Sequence, residues 1–137
     1  MNRRTALLLA ACCPALLAMG GAGTPISDTI PRPKDNYGAK LLDRQGYSTH
    51  ASHLSCNGQT FFPLERGEGT LLVPFEKIVR LRLGAEKGRR VEATVEVRGA
   101  KPLGGMLARH LLCTGTTDYG NYQVEIRGLK EIVFQKQ

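Results

Sequence analysis

Tryptophan is absent from this 137-residue chain, and no segment keeps a 3.6-residue apolar period over three turns. With 16 glycines and 7 prolines, these absences favour many short strands and turns over a helical bundle. The length excludes a large multidomain enzyme, because it suffices for one domain of ordinary size. The balance of 42% apolar and 23% charged residues is that of a folded chain rather than a disordered one.

Signatures of catalysis are also scarce. Carboxylates are few and scattered, so no acid/base pair stands out. The three serines between residues 48 and 55 lie near histidines but lack a G-x-S-x-G context. We therefore expect neither an enzyme nor a cofactor. The enzymatic alternative is a Cys–His nucleophile, formed by Cys113 with His53 or by Cys56 with His110.

The first 23 residues have the three regions of a secretory signal peptide. Arg3 and Arg4 form a basic start, Thr5–Met19 is almost wholly apolar, and the small residues Gly20–Gly23 follow. The apolar run contains Pro14 and is shorter than the about 20 residues that a membrane-spanning helix needs. We expect cleavage after residue 22 or 23, a periplasmic or secreted protein, and no transmembrane segment in the mature chain.

A lipoprotein is the alternative form of export. Leu9–Cys12 fits a lipobox in which Cys12 would be lipidated, but the apolar run continues past this cysteine. Signal cleavage would remove two arginines from a chain of formal charge +7. It would also remove Cys12 and Cys13 and leave Cys56 and Cys113, which we expect to pair in an oxidising compartment.

Alternation of apolar and polar residues dominates the rest of the chain. Val91–Val97 alternates in this way and Val79–Leu83 repeats the pattern, so both predict half-buried strands. Thr70–Phe75 is a short apolar run that contains Pro74, which predicts a strand at a sheet edge. The other strand candidates are Leu111–Thr114, Tyr122–Ile126 and Glu131–Phe134.

These strands are separated by turn signals about 8–12 residues apart, which predicts an all-β fold, either a small antiparallel sandwich or a barrel. We expect one β domain at residues 39–137. A leader at residues 24–38, with three prolines, should be extended or disordered. The best candidate for a helix is Leu103–Leu112, but the pair Gly104-Gly105 weakens it.

An internal correspondence suggests two related halves. Gly69–Leu83 aligns with Gly120–Phe134 at a constant offset of 51 residues without a gap, and five apolar positions match apolar ones. The shared shape would be a strand, a tight turn and a second strand. One such unit cannot bury its apolar face alone, whereas two could close a common core. Chance is the alternative explanation, because β sequences use a limited set of residues.

Several turn and core positions carry a family resemblance: Asp43–Gly46, Gly69, Val73–Phe75, Ile78, Gly115–Gly120 and Ile132–Phe134. In these positions the chain resembles small secreted bacterial proteins of unknown function. The resemblance spans most of residues 39–134. It implies an all-β fold and supplies no catalytic residue.

Two interpretations compete for the remaining cysteines. A disulfide between Cys56 and Cys113 would tie together the two parts of the chain. The alternative is a zinc or copper site, because the histidines lie at H-x2-H-x2-C and H-x2-C spacings. A spacing of three in a strand puts neighbouring side chains on opposite faces, so this site would need a bulge or loop. Its ligands would be His50, His53, Cys56, His110 and Cys113.

A basic cluster lies where Val79–Leu83 and Val91–Val97 would pair as a hairpin. Such a cluster could hold a polyanion, for example a lipid phosphate headgroup or an acidic glycan. Glutamates on the same hairpin dilute its charge, and a solvated strand face would explain the same residues. The cluster comprises Arg80, Arg82, Lys87, Arg89 and Arg90.

These patterns predict an exported, non-catalytic binding or structural accessory module of the periplasm or cell envelope. The expected partner is an envelope protein or an anionic surface, and we do not expect nucleic acid. A metal-binding protein and a small cysteine-dependent enzyme are the alternative functions.

Overall fold

The computed structural model describes residues 30–135, so the predicted signal peptide and the lipobox cysteine lie outside the described residues. The described part folds into ten antiparallel strands with two short 3-10 helices, Phe75–Lys77 and Ile126–Gly128. The strands are β1 (Ala39–Asp43), β2 (Ser48–Cys56), β3 (Phe61–Arg66), β4 (Gly69–Pro74), β5 (Ile78–Lys87), β6 (Arg90–Val97), β7 (Leu103–Ala108), β8 (Leu112–Thr117), β9 (Gly120–Glu125) and β10 (Leu129–Phe134).

All ten strands belong to one curled sheet with the order β4-β3-β7-β6-β5-β10-β1-β2-β8-β9. The alternating residues of each strand place their apolar side chains on the inner face, as the period of two requires. An aromatic cluster fills part of this core, in which the Phe75 ring lies 4.9 Å from Phe62, 5.0 Å from Phe134 and 5.7 Å from Tyr37. The predicted all-β antiparallel fold is confirmed, in the form of a half-barrel.

The sheet has an internal two-fold correspondence. The first half comprises β1–β5 and the second half β6–β10, and in each half a 3-10 helix separates the last two strands. Exchanging each strand with its counterpart reproduces the same sheet order, taken from the opposite end. The centre lies between β5 and β10, where Leu81 is opposite Ile132, and these residues are themselves 51 positions apart. The two related halves inferred from the sequence thus extend over all ten strands.

The register of the strands follows the same correspondence. Ser52 of β2 is opposite Thr116 of β8, and the equivalent pair in the other half is Met106 of β7 with Glu65 of β3. Strands of one half therefore pair with strands of the other, and the halves interlock. The best candidate for a helix, Leu103–Leu112, is not helical, and strand β7 occupies most of it. Glycine suits this strand because the neighbouring strand β3 approaches its backbone closely.

Two arginines hold the 3-10 helices in equivalent ways. The backbone N–H of Arg44 donates to the carbonyl of Gly128 at 3.0 Å, and its Nε donates to the carbonyl of Arg127 at 2.8 Å. In the other half, the backbone N–H of Arg98 donates to the carbonyl of Lys77 at 3.0 Å, and the Arg98 guanidinium donates to the carbonyl of Glu76. Each 3-10 helix is thereby fixed to the turn that follows the first strand of the opposite half.

Within residues 30–135, no helix has the length and apolar character needed to cross a membrane.

Candidate functional site

The two cysteines that follow the predicted signal peptide form a disulfide. Cys56 of β2 lies directly opposite Cys113 of β8, with the Cα atoms 4.0 Å apart and both side chains buried. The bond joins a strand of the first half to a strand of the second. With both sulfur atoms in the disulfide, neither a thiolate ligand nor a thiolate nucleophile exists in this state.

The three histidines occupy different sites: His50 lies opposite Lys40 of β1, His53 lies in the bulge of β2, and His110 lies in the turn after β7. The bulge that the metal interpretation required is present between Ser52 and Ser55, and His53 within it has a φ of 52°. The backbone N–H of His53 donates to Oδ1 of Asn36, and its buried Nδ1 has no hydrogen-bond partner. His110 instead has its Nδ1 3.0 Å from a carboxylate oxygen of Glu125 on β9. Over residues 30–135, no group of three or more His, Cys, Asp or Glu side chains could hold a metal ion.

The predicted basic hairpin forms between β5 and β6, and two of its arginines lie between carboxylates. The guanidinium of Arg80 is 3.9 Å from both Glu96 and Glu131. That of Arg82 is 3.6 Å from Glu96 and 3.7 Å from Glu131. These arginines lie beside the two-fold centre, and their charge is partly compensated there by the same two glutamates.

The remaining cations of the cluster are mostly paired too. Lys87 lies 2.8 Å from Glu92, and this hydrogen bond raises the pKa of the lysine and lowers the pKa of the glutamate. Arg90 lies 2.7 Å from Glu65. Among the described residues, the side chain of Arg89 has no ion pair. The hairpin is therefore a mixed-charge surface rather than a uniformly positive one.

Strand β4 lies at one end of the sheet, as its proline predicted, and among the described strands it pairs only with β3. Pro63 of β3 lies opposite Leu72 and has no N–H, so this position is a non-hydrogen-bonded pair. The Phe75 N–H donates to the Thr60 carbonyl at 2.9 Å, which makes these two residues a hydrogen-bonded pair. Hydrogen-bonded and non-hydrogen-bonded pairs alternate along an antiparallel ladder, so Pro63 and Leu72 again come out as a non-hydrogen-bonded pair. The N–H and C=O of Leu72 therefore point away from β3, toward the open side of the sheet.

Two adjacent leucines on this edge are exposed. Leu71 is 47% exposed and Leu72 is 57% exposed. They border a groove of about 320 Å³ whose other walls come from β6, β7 and the loop between them. This exposure could not be read from the sequence, because an apolar run such as Thr70–Phe75 fits a buried strand equally well. The remaining lining residues are Val73, Pro74, Lys77, Val95, Val97, Ala100, Lys101 and Leu103.

The equivalent position in the other half is built differently. Tyr122 of β9 corresponds to Leu71 and lies opposite Gly115, which has no side chain to block the ring. Its hydroxyl hydrogen-bonds Thr49 of β2 and lies near Asp43, and burial is the main cause of the raised pKa of this tyrosine. Tyr122 thus reaches across β8 to β2.

In the first half, Leu64 takes the place of Gly115 and covers Gly105. Leu103 and Val97 take the places of Thr49 and Asp43, and both line the groove beside β4. The shorter side chain of Leu71 replaces the tyrosine whose hydroxyl reaches Thr49, the counterpart of Leu103. The end of the groove at Leu103 and Val97 is therefore apolar and open.

Comparisons with known proteins give one match. A model of a protein family described as "Uncharacterised protein" matches residues 33–137. Neither the curated proteins nor the solved structures include a match to this chain.

Proposed function

The chain belongs to this family of uncharacterised proteins, and we propose that it is an exported, non-catalytic binding or structural accessory module of the periplasm or cell envelope. Its contact surface in this proposal is the open edge of β4. The observation that carries the proposal is the pair of adjacent exposed leucines, Leu71 and Leu72, on an edge strand beside an apolar groove.

An exposed apolar edge has a cost that this protein does not avoid. Folded proteins commonly protect edge strands with charged side chains, short strands or covering loops, because an open edge can pair with other chains. Strand β4 carries no charged residue between Gly69 and Pro74. The equivalent edge strand β9 has Gln123 at the position of Leu72, so the fold itself does not require a leucine there. An apolar β4 is therefore best explained by a partner that covers it.

The disulfide supports the exported part of the proposal. Disulfides persist in oxidising compartments such as the periplasm and the extracellular space, and they are rare in the reducing cytosol. The bond between Cys56 and Cys113 fits an extracellular or periplasmic protein. The sequence adds the predicted signal peptide at residues 1–23.

We place the contact surface on β4 rather than on the basic hairpin. Four of the five cations of the hairpin lie within 4 Å of carboxylates, and a polyanion would have to compete with these carboxylates. Binding to an anionic surface is still a prediction. Replacing Arg82, Arg89 and Arg90 with Ser should weaken a salt-sensitive interaction with anionic vesicles, if such an interaction is detected at low salt.

The test of the proposed function uses a photo-crosslinking amino acid. It is placed at position 72 in one variant and at position 123, the equivalent site on β9, in a control. Both variants are irradiated in envelope preparations, and the captured protein is identified and purified. We expect capture from position 72 only, and we expect Leu72→Glu to weaken binding of the purified partner by about tenfold or more, as loss of one buried leucine implies.

Two results would contradict this function. One is equal capture from positions 72 and 123, which would make contact at β4 non-specific. The other is an unchanged affinity of the purified partner for the Leu72→Glu variant. Fractionation with the native chain provides the separate check of export, and recovery in the cytosol with free thiols would overturn that part.

A further inference from the structure

We propose that the groove beside β4 receives a large apolar side chain, preferably phenylalanine, from an extended partner segment that adds to β4 as an eleventh strand. A negatively charged residue close to this side chain completes the recognised segment. The inference rests on the proposed function and specifies the chemistry of the partner.

The backbone of β4 can bind an extended segment. The N–H and C=O of Leu72 point to the open side, and by the two-residue period so do those of Thr70. Pro74 adds a carbonyl on this side but has no N–H, so only Thr70 and Leu72 can donate hydrogen bonds to an added strand. Addition of a strand to such an edge gives affinity through main-chain hydrogen bonds, and neighbouring pockets for side chains give specificity.

The second half of the protein shows which kind of side chain suits the groove. In that half an aromatic ring, Tyr122, lies opposite Gly115, and its hydroxyl reaches Thr49 of β2. In the first half the position equivalent to Thr49 is Leu103, and the β4 residue that corresponds to the tyrosine is the shorter Leu71. A side chain from outside would cover Leu103 as the tyrosine reaches its counterpart, Thr49.

The lining of the groove selects among large side chains. The hydroxyl of Tyr122 has Thr49 as a hydrogen-bond partner, whereas Leu103 and Val97 offer no polar atom on their side chains. A buried hydroxyl without a partner is unfavourable. Phenylalanine should therefore bind more tightly than tyrosine, and alanine should bind weakly.

The charge of the groove favours an acidic neighbour. Lys77 and Lys101 both line it, and among the described residues neither has an ion pair. The rest of the lining is uncharged. A carboxylate beside the inserted side chain would be attracted to these two lysines, and this contribution should weaken as salt is added.

A second copy of the chain is a poorer occupant. Pairing of two β4 strands would extend the sheet, but Gly69–Pro74 contains no aromatic residue. The groove of each copy would stay unfilled, and the Lys77 and Lys101 side chains would gain no new carboxylate from the paired strands themselves.

The test measures binding of defined peptides to the purified chain by fluorescence anisotropy. The probe is a labelled heptapeptide, Thr-Thr-Phe-Thr-Glu-Thr-Thr, with blocked ends. The comparison peptides replace Phe by Tyr or Ala, or replace Glu by Lys. We expect the Phe peptide to bind most tightly and the Ala peptide to bind at least about tenfold more weakly. The Lys peptide should also bind more weakly, and added salt should strengthen its binding, because salt screens repulsion from the two lysines.

Substitution of Leu72 tests the strand addition itself. Leu72→Pro removes an N–H that β3 does not use, so it should leave the fold intact and abolish peptide binding. Leu72→Ala removes the side chain but keeps the N–H, and should bind with intermediate affinity. Gln123→Pro, at the equivalent position of β9, is the control for folding and should bind the Phe peptide normally.

The outcomes separate this inference from the function on which it rests. Equal binding of the Phe and Ala peptides, or normal binding by a folded Leu72→Pro variant, would overturn the inference. So would concentration-dependent dimers that Leu72→Pro abolishes, because the occupant would then be a second copy. If no peptide binds but position 72 still captures a specific partner in the envelope, the proposed function survives and only this inference fails.

Discussion

Leu81 of β5 lies directly opposite Ile132 of β10, and both side chains are fully buried. This pair marks the centre from which the two halves of the sheet run in opposite directions. Each contact in one half can therefore be compared with the contact between the equivalent residues of the other half. Substitutions at equivalent positions should then have similar effects where the local contacts match and different effects where they do not.

The arginines that hold the 3-10 helices provide a matched pair. Arg98→Ala should lower the free energy of unfolding by about 1 kcal/mol and Arg44→Ala by somewhat more, because Arg98 donates one side-chain hydrogen bond to a backbone carbonyl and Arg44 donates two. The double variant should show the sum of the two losses, since the arginines hold separate helices. Urea denaturation measures these changes. Arg89→Ala is the control, and an effect as large as that of the other two would contradict this account.

The glycines of β7 should differ sharply in their tolerance of a methyl group. A Cβ on Gly105 would lie 2.7 Å from Cγ of Leu64 and 2.8 Å from the carbonyl oxygen of Glu65. A Cβ on Gly104 would have its nearest neighbour at 3.9 Å. Gly105→Ala should therefore destabilise the fold by about 1–3 kcal/mol, whereas Gly104→Ala should change stability little. Thermal unfolding of both variants tests this, and equal melting temperatures would disprove the close packing of β3 on β7.

The disulfide should make a large contribution to stability. It closes a loop with a sequence separation of 57 residues, for which the chain-entropy model gives about 4 kcal/mol. A variant with both Cys56→Ala and Cys113→Ala should unfold at much lower urea concentration than the oxidised chain. The reduced chain is the comparison that separates loss of the bond from loss of the sulfur atoms. Two titratable thiols in the mature chain, which retains only Cys56 and Cys113, would contradict the bond and reopen the thiolate-metal and cysteine-enzyme alternatives.

One carboxylate should give a measurable pH dependence. Nδ1 of His110 lies 3.0 Å from Glu125, and this hydrogen bond is the main cause of the lowered pKa of the glutamate, with Arg127 adding to it. A carboxylate with a lowered pKa in the folded state stabilises the fold at pH values above its ordinary pKa. The contribution is lost as the pH falls through the folded value.

Titration of Glu125 by NMR checks this assignment. His110→Ala should raise the pKa of Glu125 toward the ordinary value of a glutamate, and Arg127→Ala should raise it by less. A larger effect of Arg127→Ala than of His110→Ala would reverse the order of the two causes.

Much of the fold follows from local sequence patterns. The alternation of Val91–Val97 and Val79–Leu83 identifies β6 and β5, and Pro74 places β4 at an edge, because these features act on single strands. The ungapped offset of 51 residues correctly matched β4 and β5 with β9 and β10. It missed the match of β1 with β6, since Leu41 and Val95 occupy equivalent registers at an offset of 54.

The candidate site was less accessible to prediction. Pairing of Cys56 with Cys113 followed from the count of cysteines and the compartment, and the disulfide is confirmed. Dilution of the basic charge by glutamates of the same hairpin was predicted, and Glu92 and Glu96 do lie beside its cations. The contribution of Glu131 was missed, because it reaches Arg82 from a strand far along the chain. The exposure of Leu72 was missed although β4 was placed at an edge, because a continuous apolar run such as Thr70–Phe75 does not show which of its residues stay uncovered.

The interlocking of the halves has a consequence for how the chain acquires its structure. Without the second half, the first would retain only the separate hairpins β1-β2 and β3-β4, because β5 pairs with β6 and β10 alone. Strand β1 can pair with β10 only after β10 is present, because Ala39 near the start of the domain lies opposite Phe134 near its end. Contacts between such distant positions slow folding. A growing chain therefore stays open until its last strand emerges, and the sheet assembles as one cooperative unit.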